Sequence, residues 1–135
     1  MRRILICAAL ALGCGPALAH HSFAMFDQSK QVTLAGTVRE FQFTNPHAFI
    51  ELDVVGPGGG PAVDWSIELN SPNNLRRQGW TRDSLKPGDK ITAVIAPVKD
   101  GKTGGLFIYA TLAGGKVLGD PGQARSGPIN APGLQ

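Results

Sequence analysis

Cysteine is nearly absent from this sequence, and the two that occur, Cys7 and Cys14, both lie close to its start. The body of the chain therefore has no disulfide framework, no thiolate metal site and no cysteine nucleophile. No serine stands in a Gly-x-Ser-x-Gly elbow. The glycine-dense stretch GPGGGP at 56–61 lacks the spacing and the Lys-Ser/Thr of a phosphate loop, so it reads as a flexible connection. Glu51 and Glu68 are candidates for a carboxylate pair, but each sits on the outward side of a strand pattern, where carboxylates are ordinarily solvated. With no catalytic constellation, the expectation is a protein that is not an enzyme. An excess of one charge is also missing, since 13 Lys+Arg stand against 10 Asp+Glu. Two of the basic residues, Arg2 and Arg3, belong to the extreme N-terminus, and the near-neutral remainder has no electrostatic case for holding nucleic acid. No apolar run is long enough for a transmembrane span.

What is present begins with MRRILICAALALGCGPALA. A basic tip, an apolar run from Ile4 to Leu12 and Ala17-Leu18-Ala19 follow one another in the order of a bacterial secretory signal. Cleavage after Ala19 is expected, giving residues 1–19 as signal peptide, His20 as the first mature residue and a periplasmic or secreted location. Both cysteines would leave with the leader. The alternative is a lipoprotein signal, in which Leu12-Gly13-Cys14 would make Cys14 an acylated first residue that tethers the protein. That match is imperfect, because Ala11 stands where such signals prefer Leu.

After an N-terminal arm, HHSFAMFDQSK, with two apolar pegs at Phe23 and Phe26, the pattern is of strands. Val32, Leu34, Gly36 and Val38 alternate with polar or small residues, and beyond Glu40 the apolar phase shifts to Phe41 and Phe43. Such a shift within one strand predicts a bulge or sharp coil, with Gly36 giving room for the bend. Thr44-Asn45-Pro46-His47 breaks the strand. Two more alternating runs follow, Ile50/Leu52/Val54 and Val63/Trp65/Ile67/Leu69, with their acids on the opposite face. Ser71-Pro72 then reads as the capped start of a short helix that stops at Gly79, with Trp80 as a core plug. Thr81 to Leu85 could add one further turn before the Lys86-Pro87-Gly88-Asp89 turn signal. KITAVIAPV and GLFIYATLA are the last two full strands, and Lys116-Val117-Leu118 could add a brief closing stretch.

Three strands, a short helix and two strands, with a first strand long and bent enough to pair with two neighbours, predict a mainly β protein. The architecture is a small five-stranded OB-like barrel with one short helix between strands 3 and 4. An open sheet or sandwich with a helix at one edge is the alternative. One domain is expected over residues 20–118, and a disordered Gly/Pro-rich tail over 119–135.

AHHSF (19–23), TNPH (44–47), SPNNLRRQGW and TRDSLKPGDK together resemble a bacterial domain-of-unknown-function family, number 6152, of small exported proteins. In it AHHS follows the signal and TNPH follows the first strand. The resemblance spans most of 19–118. It implies an exported single domain without supplying an activity, and marks His20, His21, Asn45, Pro46 and His47 as the matching positions.

All three histidines of the chain lie in those two motifs. A free N-terminal histidine chelates through its α-amine and Nδ1, and the next amide and the His21 imidazole offer further nitrogen. Nitrogen-rich, planar-leaning sites favour Cu(II) over Zn(II). His47, in a loop at the barrel rim, could complete a copper site of His20, His21 and His47, with Asp27 as a nearby carboxylate. Equally, His47 could do no more than donate a hydrogen bond that holds the Asn-Pro turn. A second reading needs no metal: Asn45, Arg76 and Arg77, with Asn73 and the outward acids Glu51, Asp53, Asp64 and Glu68, would engage a periplasmic protein, a glycan or an anionic small molecule.

Overall fold

The computed structural model describes residues 23–124. Five strands close into a barrel and a sixth extends it: β1 Val32–Gln42, β2 Phe49–Val54, β3 Val63–Glu68, β4 Lys90–Pro97, β5 Gly104–Leu112 and β6 Val117–Gly119. The order β3-β2-β1-β4-β5-β6 is antiparallel, and a parallel β3–β5 pairing closes the ring. The first strand spans both halves of the barrel. Its N-terminal part pairs with β4 (Val32 opposite Ile95), and its C-terminal part with β2 (Gln42 opposite Phe49). The two ladders overlap at Gly36 and Thr37. A Cβ on Gly36 would meet the Asp53 carbonyl oxygen at 2.6 Å, so glycine is what lets the strands approach there. The expected bulge lies between Val38 and Glu40, where the register with β2 slips by one. That slip turns Phe41 and Phe43 inward after the Leu34/Val38 phase.

The interior is the alternating side of every strand, including Leu34, Val38, Ile50, Leu52, Trp65, Ile67, Ile95 and Ala110. Between β3 and β4 runs the predicted helix, α1 (Pro72–Arg77). Ser71 caps it by accepting from the Asn74 N–H, and Pro72 opens it. Leu75 and Trp80 carry this connection into the core. Trp80 stands edge-on to Phe107 (5.4 Å between centroids) and tilted against Phe41 (5.9 Å), so it is the plug that the sequence suggested. Residues 81–85 form turns, with Thr81 N–H donating to Ser84 Oγ, and not a second helix. Past residue 118 the chain completes β6 and makes a 3-10 turn over Pro121–Gln123, capped by Asp120. Among the described residues no helix is long and apolar enough to cross a membrane.

Candidate functional site

The β2–β3 ladder continues one step beyond the strands. Ala48 N–H donates to the Asn70 carbonyl and Leu69 N–H to the Ala48 carbonyl, at 3.2 and 2.8 Å. This pins the end of the TNPH loop against the exit of β3. His47 is thereby set beside Glu68, and its Nδ1 pairs with Glu68 Oε1. Both side chains are largely withdrawn from solvent (25% and 16% exposed). His47 follows the Asn45–Pro46 turn, whose peptide is cis. A carboxylate beside Nδ1 orients the imidazole ring, as carboxylates commonly do for histidines.

Glu68 also lines a groove of about 590 Å³ on the outside of the barrel. Phe49 and Ser66 on β2 and β3 form one wall, and the β4–β5 connection from Val98 to Thr103 forms the other. Met25 and Phe26 of the N-terminal arm close one side. In this fold the outer face of strands 2 and 3, with the loops after strands 1 and 4, is the customary binding surface.

The arm is docked beside that groove by backbone bonds as well as by side chains. Asp27 N–H donates to the Pro97 carbonyl (2.7 Å), Lys99 N–H to the Met25 carbonyl (2.9 Å), and Phe26 bridges to Val98. Of the two expected pegs only Phe26 is one, at 5% exposed, whereas Phe23 is 56% exposed. Met25, in the 3-10 turn Phe23–Met25, is 52% exposed.

His20 and His21 lie outside the described residues. Among those described, no three His, Cys, Asp or Glu side chains are gathered to hold a metal ion. Asp27, the carboxylate nearest the arm's start, is engaged locally. It accepts from the Ser29 hydroxyl and N–H and pairs with Lys30 at 3.1 Å, and these contacts, the Ser29 hydroxyl foremost, hold its pKa below the usual value. Asn45 is exposed in its loop, and Arg77 is exposed at the end of α1. Arg76 turns back over the Phe43 ring (5.3 Å from the centroid) and donates to Asn73. Arg82, which sequence reasoning passed over, covers the same ring from 5.9 Å. The outward acids are mostly spent on neighbours. Arg39 reaches Asp64 at 2.7 Å and Glu51 at 3.6 Å, and Ser66 donates to Glu51. Hydrogen bonding to Asp64 raises the Arg39 pKa further.

The sequence missed Glu68 as the partner of His47. Its alternation marks it as outward, and only the register placing it opposite Phe49, two residues after His47, brings the two together. Comparison with curated proteins returns no significant match. The model of a family described as of unknown function, DUF6152, covers residues 8–108, and this chain, which carries the AHHSF and TNPH motifs, belongs to that family.

Proposed function

We propose that this is an exported copper-binding protein, not an enzyme, that holds the metal at the rim of its barrel where the arm meets the groove. Once cleavage exposes His20, the donors are its α-amine and imidazole, the nitrogens of His21, and the imidazole of His47. The observation that carries this reading is the His47–Glu68 pair: a loop histidine whose Nδ1 meets a carboxylate that also lines a groove closed on one side by the docked arm. His20 stands five residues before Met25. Such a stretch extends to at most about 18 Å. Nitrogen donors of this kind favour Cu(II), and the Glu68 carboxylate would hold the His47 ring in place.

The test is a Cu(II) titration of protein purified from the periplasm, its start verified by intact mass, followed by electron paramagnetic resonance. Nitrogen hyperfine structure is expected, and it should change when one extra glycine precedes His20. His47→Ala and Glu68→Gln should each weaken binding, the latter by about tenfold. Identical spectra with and without the extra residue would refute the terminal chelate.

One observation favours a metal-independent reading of a different surface. Arg76 and Arg82 share the Phe43 ring, and neither makes an ion pair among the described residues. Two guanidinium groups left without a carboxylate would suit an anionic small molecule or protein segment. Binding of such a partner by copper-free protein, lost in Arg76→Ala/Arg82→Ala, would favour it.

A further inference from the structure

Glu68 is held through only one of its two oxygens. Oε1 meets His47 Nδ1, while Oε2 accepts no hydrogen bond and meets no cation among the described residues. A carboxylate so far withdrawn from water, at 16% exposed, ordinarily gathers more than one donor. Orienting the His47 ring occupies one oxygen and leaves the other without a task. The side chain lines the groove of about 590 Å³, to which Met25, Phe26, Phe49 and Val98 give apolar walls. The other charges on that groove, Asp100 and Lys102, lie at its exposed margin and pair with each other at 3.1 Å. Ser66, beside Glu68 on the same wall, donates its hydroxyl to Glu51. Within the groove, negative charge without a matching cation is therefore concentrated at Glu68.

A concavity of this volume is of small-molecule size, and such sites join apolar walls to a few polar anchors. A neutral ligand leaves the Glu68 charge unanswered and an anion is repelled by it, whereas an ammonium group donates to it with the assistance of opposite charge. We propose that the groove binds a small primary amine with an apolar body, its ammonium donating to Glu68 Oε2 and its chain lying along Met25, Phe49 and Val98. The docked arm is then one wall of the site, fixed there by the bond from Lys99 N–H to the Met25 carbonyl and by the Phe26–Val98 bridge. This goes beyond the copper reading and needs no metal, because it uses the oxygen that His47 leaves over.

The experiment is an NMR titration of metal-stripped protein at pH 8, chelator present, with hexylammonium, methylammonium and hexanoate as probes. Hexylammonium should bind saturably and shift the Ser66, Gly104 and Gly105 amides, leaving Thr37 and Thr92 in the β1–β4 ladder unmoved. Methylammonium has the charge without the body, and hexanoate the body with the opposite charge. Each should bind at least about tenfold more weakly. Glu68→Gln, which keeps the shape of the side chain, should weaken hexylammonium by about tenfold or more, with folding checked by circular dichroism. Equal binding of hexylammonium and hexanoate overturns the proposal. So does equal affinity of folded Glu68→Gln and wild type, or the absence of a saturable shift at the groove amides. If Glu68→Gln does not fold, the contrast between the two six-carbon probes on wild type decides alone. With metal removed throughout, failure here leaves the Cu(II) reading standing, and failure of the Cu(II) titration leaves this one.

Discussion

Replacing Phe26 by alanine should release the arm without dismantling the barrel. Phe26 is almost wholly buried, at 5% exposed, but it is not part of the main core cluster. It covers the edge of the sheet at Val98. Burying a phenylalanine side chain stabilises by about 1.5–3 kcal/mol. The additional cavity cost of a core Phe→Ala change, which brings such substitutions to about 3–5 kcal/mol, should be largely avoided, because the site opens to solvent on its outer side. The local cost is therefore about 2 kcal/mol, which corresponds to roughly thirtyfold in the opening equilibrium of the arm. The amides that report it are Asp27, which donates to Pro97, and Lys99, which donates to Met25. Hydrogen exchange by NMR should show these two amides losing about thirtyfold in protection. Leu34 and Ile95 amides, in the β1–β4 ladder, should lose far less. If Asp27 and Lys99 keep wild-type protection, the backbone bonds alone hold the arm and the side-chain argument is wrong. If protection falls equally everywhere, the arm is an integral part of the barrel.

Two further outcomes follow from single atoms. A Cβ at Gly105 would lie 2.7 Å from the Ala96 carbonyl oxygen and 2.5 Å from Ile95 Cδ1, where β5 leaves β4 to close on β3, so Gly105→Ala should cost about 1–3 kcal/mol in urea unfolding. Gly58→Ala, with open space around it, should change stability by less than about 0.5 kcal/mol, and equal effects at the two sites would defeat the packing explanation. The lowered pKa of Asp27 means that the stability from its contacts with Ser29 and Lys30 is present above its unfolded value near 3.8 and is lost as pH falls through the still lower folded value. An NMR titration should place its midpoint below 3.8, and Ser29→Ala should raise it, since the Ser29 hydroxyl is the leading cause.

How much of this was legible in the sequence differs between barrel and site. Strand alternation, the phase shift after Glu40 and the Ser71-Pro72 start of the helix are local signals. Each depends on residues a few positions apart, and each appears in the structure as the bulge at Val38/Glu40 and the cap on Asn74. The five-stranded closure could be inferred because a strand as long as β1 has two partners to satisfy. The site depends instead on side chains distant in sequence. His47 finds Glu68 through strand register, and Arg76 and Arg82 meet over Phe43 through the path of the helix. Alternation labelled Glu68 as solvent-facing, which is correct for the barrel but says nothing about a loop folding over it. Arg76 and Arg77, one feature in the sequence, are neighbours on a single helix. Successive helical residues point about 100° apart, so one turned to the ring and the other to water.

The docking of the arm sets an order on events in the life of the chain. Asp27 is bonded to Pro97, and Met25 to Lys99, about seventy residues further on. A polypeptide that emerges N-terminus first thus offers its arm long before there is anything for it to hold. The surface that receives the arm is the end of β4, and β4 is itself held by β1 and β5. The arm can therefore take its place only after almost the whole domain has emerged.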